Sequence, residues 1–166
     1  STPKFATLAI TMPSVDESWL GGFCQGLRES LSAHDCLLIG GDTTKGPLVV
    51  TLQMIGSIAG DPLRRNGAKY GDIVAVSGYL GDARAALDFL HDTKQRPETD
   101  PILNRYFRPT PRIEFARKAR EYIHSAIDVS DGLIADLGHV AKASGVQIEV
   151  ISESLPLSAS LKMLLP

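Results

Sequence analysis

The chain has 166 residues, 43% of them hydrophobic, which is enough apolar material for one complete globular domain or the better part of two small ones. A formal net charge of −2 leaves no surplus of Lys and Arg to neutralise a nucleic-acid backbone, and Arg117, Lys118 and Arg120 read as a solvated helix face, so nucleic acid is excluded as a partner. Cys24 and Cys36 are too few for a disulfide framework or a four-ligand zinc site and read as core thiols of a cytoplasmic protein; residues 1–4 show no charged leader, and residues 48–58 are too short and too interrupted by Thr51 and Gln53 to span a bilayer.

Residues 5–12 alternate in a way that suits a strand, which Pro13 ends. Ser14-Val15-Asp16-Glu17 reads as a capping box, and Leu20, Phe23, Leu27 and Leu31 then recur at helical spacing to about His34. Gly21, Gly22 and Gly26 weaken that helix but permit close packing on a sheet, and Trp19 with Phe23 reads as core packing. Strands are expected at residues 36–39 and 48–58, with a loop over 40–47 between them. The Gly, Pro, Asp and Asn content of residues 56–71 marks a domain junction.

Beyond it the pattern predicts a strand at 73–77, a helix at 81–90, a polar loop at 91–100, and helices at 101–106 and 113–123, with Pro109 and Pro111 bracketing a turn. A short strand at 126–129, a helix at 133–143 with Leu133, Leu137, Val140 and Ala141 on one face, and a strand at 146–151 follow. The four histidines, His34, His91, His124 and His139, have no metal-ligand spacing and are assigned no role.

Two segments place carboxylates beside hydroxyls and glycines at the end of an apolar run: Gly40-Gly41-Asp42-Thr43-Thr44 and Asp128-Val129-Ser130-Asp131-Gly132. Hard cations such as Mg2+ take oxygen ligands, so a phosphoryl-transfer site draws several aspartates from separate segments, here Asp42, Asp128 and Asp131. Gly40 and Gly41 would let backbone approach a phosphate; an ordinary Gly-Asp turn accounts for the stretch equally well. Ser130 and Asp131 open a helix and either cap it or direct a nucleotide toward its positive end. A cap does not explain Asp128, whose apolar context is costly unless the carboxylate is paired or metal-bound. Arg64 and Arg65 lie at the junction, where a guanidinium could neutralise phosphate charge or simply be solvated.

Taken in order, these segments resemble the thiamine-monophosphate kinases, in the superfamily of aminoimidazole ribonucleotide synthetase. The resemblance runs from Leu8, Pro13, Asp16, Glu17, Trp19 and Leu20 through Gly-Gly-Asp-Thr-Thr-Lys-Gly-Pro at 40–47 and Arg-x-Gly-Ala-x-x-Gly-Asp at 65–72. It continues through Arg-Pro-x-Pro-Arg at 108–112 to the most specific run, Ala-Ile-Asp-Val-Ser-Asp-Gly-Leu-Ile-x-Asp-Leu-Gly-His at 126–139.

The resemblance implies an α+β, two-domain, synthetase-like architecture truncated at both ends: residues 1–58 as the end of an α+β amino-terminal domain, 59–71 as the junction, and 72–166 as a partial α/β carboxy-terminal domain. The family's amino-terminal Asp-Asp motif has no counterpart before Ser1, and its thiamine-recognising Gly-x-Asp-Tyr-Glu region has none after Pro166. It further implies in-line transfer of the ATP γ-phosphoryl group to thiamine monophosphate with Mg2+ and no covalent enzyme intermediate, in a homodimer. Metal ligands would be Asp42, Asp128 and Asp131, and nucleotide contacts Gly41, Asp42, Arg65 and Ser130; no residue is assigned a catalytic role of its own. Other ATP-dependent enzymes of the superfamily and a non-catalytic, dimerising nucleotide-binding module are the competing expectations.

Overall fold

The structure, a computed structural model, describes residues 1–90 and 101–164, so the polar loop expected at 91–100 and His91 lie outside the described residues. The chain divides into two units, Ser1–Pro62 and Leu63–Pro166.

The first unit is a three-stranded sheet with one helix. β1 (Thr2–Met12) lies in the centre, β2 (Leu37–Lys45) pairs with it in parallel and β3 (Val49–Ser57) antiparallel. Parallel neighbours need a crossover, and α1 (Glu17–Ser32) supplies it between β1 and β2. Leu27 and Leu31 of α1 meet Ala6 and Cys36, so the apolar stripe read from the sequence is the stripe that forms this core.

Four local expectations require correction. The helix is capped by Asp16, whose side chain accepts from the Trp19 amide at 3.0 Å, and Ser14 lies outside the cap. Gly21, Gly22 and Gly26 serve no close packing, because a Cβ at any of them would meet open space. Trp19 and Phe23 stack on each other with centroids 5.3 Å apart, but Trp19 remains 41% exposed, because the start of α1 has no second layer over it among the described residues. Cys36 is a core thiol as expected, whereas Cys24 is exposed.

The largest correction concerns residues 40–45, which form most of β2 instead of a loop. Their Gly and Thr content hides a strand whose stability comes from its partner: Thr7 to Met12 pair with Gly40 to Lys45 in unbroken register. The register slips once before this, between Ala6 and Thr7, where Ile39 is the unpaired residue of a bulge. The residues of β2 and β3 are exposed, including Leu37, Leu38, Ile39, Val50, Leu52 and Met54.

The second unit is built from short helices: α2 (Asp82–Ala86) with a 3₁₀ turn at Leu87–Phe89, α3 (Pro101–Phe107), α4 (Ile113–Ala119) with a 3₁₀ turn at Arg120–Tyr122, α5 (Leu133–Ser144) and α6 (Ala159–Leu164). Ala86, Ile102 and Leu103 form its buried cluster, with Ala85, Phe89 and Leu90 packed against it. The buried Asp82 carboxylate accepts from Ser158 Oγ at 2.7 Å, and Ser158 Oγ accepts from the Leu161 amide at 3.0 Å, which fastens the start of α2 to the start of α6.

The strands expected at 73–77, 126–129 and 146–151 do not form among the described residues of this unit. Apolar β-branched runs become strands only where a neighbour completes a ladder. Here Ala126 makes a single bond, to the Arg64 carbonyl, and Val146 donates back to Ala141 at the end of α5. Among the described residues, no helix is long and apolar enough to cross a membrane.

Candidate functional site

In the first unit, Asp42 sits on β2 opposite Ala9, one position after Gly41, which lies opposite Leu8. The Asp42 side chain is exposed, and its Oδ1 accepts from the Thr43 amide at 2.8 Å, which fixes the carboxylate against its own strand. Gly41 has φ +149, and a Cβ there would be driven into the Leu8 carbonyl. Only glycine allows β2 to approach β1 this closely beside Asp42. The strand ends in a pinned turn, with Gly46 donating to the Met12 carbonyl at 3.0 Å and Thr11 Oγ1 to the Pro47 carbonyl at 2.6 Å.

In the second unit, the Arg65 segment and the approach to Asp128 are brought together through backbone. Ala126 donates to the Arg64 carbonyl at 3.0 Å, and Ser125 Oγ reaches the carbonyls of Arg64 at 3.0 Å and Arg65 at 2.9 Å. From the end of α5, Ser144 Oγ donates to the Arg65 carbonyl at 2.8 Å and accepts from the Ala68 amide at 3.2 Å. A Cβ at Gly67 would collide with the His124 carbonyl, so the glycine of the Arg-x-Gly-Ala motif is there for this close passage. The Asp72 carboxylate closes the same segment: it accepts from the Lys69 amide at 2.8 Å and faces His124 Nδ1 at 2.9 Å. The Lys69 amide, and after it the His124 hydrogen bond, hold the Asp72 carboxyl below the ordinary aspartate range. Residues from Leu63 onward thus belong to the second unit's fabric.

Asp128, Ser130 and Asp131 lie on the turn that leads into α5, and all three are exposed. The argument that a buried Asp128 must be paired is therefore corrected: Ala126 and Ile127 are half-buried, but Asp128 itself is exposed, so burial does not demand a partner for it. The cap reading is corrected too. Neither Ser130 nor Asp131 caps α5; Gly132, at φ 122, stands at the N-cap without a side-chain bond.

The group that satisfies this turn is Asp136, which is 3% exposed and whose Oδ2 accepts from the amides of Ser130 at 2.9 Å, Asp131 at 3.3 Å and Gly132 at 3.2 Å. Sequence reading assigned it nothing. The signal was present: Asp136 falls between Leu133 and Leu137 and Val140, a carboxylate inside the apolar stripe of a helix.

The oxygen donors of both segments fit the chemistry of Mg2+, which binds through one or two carboxylates together with water and phosphate oxygens. Among the described residues, no three His, Cys, Asp or Glu side chains gather into a preformed metal cage.

Residues 1–58 match the family described as AIR synthase related protein, N-terminal domain. The α+β, synthetase-like fold expected from the motifs is thereby borne out, and the particular resemblance within it is borne out as well. The chain is 48% identical over 160 residues to the thiamine-monophosphate kinase of Salmonella typhimurium, covering 94% of this chain and 49% of that protein. The crystal structure of thiamine monophosphate kinase from Aquifex aeolicus superposes with a TM-score of 0.91 at 36% identity, over 97% of this chain and 56% of that one. AaThiL complexed with AMPPCP and TMP superposes with a TM-score of 0.80 at 34% identity, over 97% of this chain and 53% of that one. The chain is a homologue of the thiamine-monophosphate kinases and spans about half the length of the curated relatives it matches.

Proposed function

We propose that the protein transfers the γ-phosphoryl group of ATP to thiamine monophosphate, giving thiamine diphosphate and ADP. The observation that carries this reading is the 48% identity with a thiamine-monophosphate kinase across 94% of the chain. The relative that holds AMPPCP together with TMP supports the pairing of a nucleotide with a thiamine phosphate as co-substrates.

Asp42, Asp128 and Asp131 would hold Mg2+, with Gly41, Asp42, Arg65 and Ser130 facing the nucleotide. Bound Mg2+ supplies positive charge against phosphate oxygens. The chain's own part is positioning: β2 carries Asp42 on a rigid ladder, and the Ser125 and Ser144 hydroxyls hold the backbone of Arg65 beside the segment leading to Asp128. With no nucleophilic side chain required, in-line transfer between the two substrates is the mechanism this division of labour serves.

The same reading assigns residues 1–58 to the amino-terminal domain, 59–71 to the junction and 72–166 to the carboxy-terminal domain, in a cytoplasmic homodimer. The exposed apolar side chains of β2 and β3 favour a pairing partner for that sheet.

Chromatographic detection of thiamine diphosphate made from thiamine monophosphate, ATP and Mg2+ tests the reading. Product from the parent, with roughly 100-fold or greater loss in Asp42→Asn and Asp128→Asn, is the expected result. Near-parental turnover in either variant removes that residue from the site. Arg65→Ala should impair nucleotide use more than Arg64→Ala. Nucleotide binding without product from the parent would favour a non-catalytic module.

A further inference from the structure

We propose that Asp136 is a positioning residue that makes the segment just ahead of α5 a cation-presenting loop. The inference rests on the kinase reading for its purpose, and on the hydrogen bonds of the turn for its geometry.

The first amides of a helix have no intrahelical acceptor, and with the helix dipole they ordinarily make an anion site. Ahead of α5 (Leu133–Ser144), the N-cap amide and the two before it are already taken up. The amides of Ser130, Asp131 and Gly132 all point at one atom, Oδ2 of the buried Asp136, at 2.9, 3.3 and 3.2 Å. A phosphate arriving at the amides of 130–132 would have to displace a carboxylate anchored inside the helix.

The side chains point to the opposite chemistry. Converging three consecutive amides on an interior acceptor turns the loop's backbone inward, and the side chains at 128, 130 and 131 remain exposed. Gly132 at φ 122 permits the turn; a Cβ there would meet nothing within 4 Å, so the backbone conformation, not space, calls for glycine. What the loop offers to solvent is two carboxylates and a hydroxyl, donors for a hard cation. In this arrangement a nucleotide phosphate is reached through a bound cation and Ser130 Oγ, not through the amides of 130–132.

Asp136 would then act as residues behind metal ligands do, by fixing the ligands' orientation. Asp136→Ala removes the acceptor for all three amides, and Asp136→Asn keeps an acceptor oxygen while removing its charge. Mn2+, which is paramagnetic and takes the same ligands as Mg2+, is titrated into the parent and both variants with electron paramagnetic resonance as readout, alongside thermal unfolding.

Asp136→Ala is expected to weaken Mn2+ binding by about 10- to 100-fold and Asp136→Asn by less, and neither to change it further in an Asp128→Asn, Asp131→Asn background. Parental Mn2+ affinity in folded Asp136→Asn and Asp136→Ala, or an equal loss in the doubly substituted background, overturns the proposal. Should Asp136→Ala not fold, the folded Asn variant decides by the same criterion. The kinase assay on the parent is scored separately: Asp136-dependent Mn2+ binding without thiamine diphosphate sinks the kinase reading and leaves the loop assignment, and product formation with Asp136-independent binding does the reverse.

Discussion

Replacing Gly41 by Ala tests whether the glycine beside Asp42 is there for the sheet or for a ligand. At φ +149 an L side chain is strained, a cost of about 1–3 kcal/mol. The added Cβ also enters the Leu8 carbonyl, which belongs to the central strand and is held by β3 on its other side. β1 has nowhere to go, so β2, the edge strand, must lift away. Two ladder hydrogen bonds around Leu8 and Gly41 are then lost, at about 1 kcal/mol each. The sum, about 3–5 kcal/mol, corresponds to a fall in melting temperature of about 12–40 °C if the unit Ser1–Pro62 unfolds as a small domain. Gly40→Ala is the control, since a Cβ at Gly40 meets nothing within 4 Å and its φ is ordinary. Thermal unfolding by circular dichroism of both variants is the assay. If Gly41→Ala melts with Gly40→Ala, the close strand approach has no energetic weight and the reasoning fails. If it melts low, loss of activity in Gly41→Ala says nothing about nucleotide contact, because Asp42 will have moved with its strand.

Two further outcomes are expected from the structure. Gly26→Ala, in the middle of α1 with open space at its Cβ, should stabilise the protein by about 0.8–1 kcal/mol; an unchanged or lower denaturation midpoint would show that the α1 surface at Gly26 is covered after all. Asp72 is held below the ordinary aspartate value, by the Lys69 amide first and His124 second, so its contribution to stability is fully present above that ordinary value and is lost as pH falls through the depressed one. Asp72→Asn should therefore lose stability relative to the parent at about pH 6 and converge with it toward about pH 2; a constant difference across that range would show that the carboxylate's charge is not what holds the turn to His124.

The first unit was largely legible because its signals are local. The stripe of Leu20, Phe23, Leu27 and Leu31 and the alternation of residues 5–12 each report one face of one element, and both elements formed. The cap was misplaced by two residues because Ser14 and Asp16 are both competent acceptors, and only the geometry of the Trp19 amide chooses between them. The continuation of β2 over residues 40–45 was missed for a different reason. Its glycines and threonines have no intrinsic preference for a strand strong enough to read, and its structure is dictated by β1, eight residues of which pair with β2 from positions more than thirty residues away. In the second unit the error ran the other way: residues 73–77, 126–129 and 146–151 carry strand-like composition, yet without a ladder partner among the described residues composition alone does not make a strand.

The candidate site shows why motif spacing finds ligands more readily than it finds what holds them. Asp42, Asp128 and Asp131 stand out as acids among glycines and hydroxyls, a local contrast. Asp136 and Ser144 lie on α5, and Ser125 just ahead of the Asp128 turn, where nothing in the residue type separates a structural acceptor from a solvated side chain. Their roles exist only once the chain has returned to the Arg65 segment and the amides of 130–132 have turned inward. One of the three was nevertheless readable in principle. A serine on a helix surface is unremarkable, but a carboxylate inside an apolar stripe is expensive to bury unless several donors meet it, and amides without intrahelical partners lie at the start of its own helix and in the turn just ahead of it. A buried acid four residues into a helix that opens with Asp-Gly therefore points backward at the loop before it, and in this chain that loop is the one carrying Asp128 and Asp131.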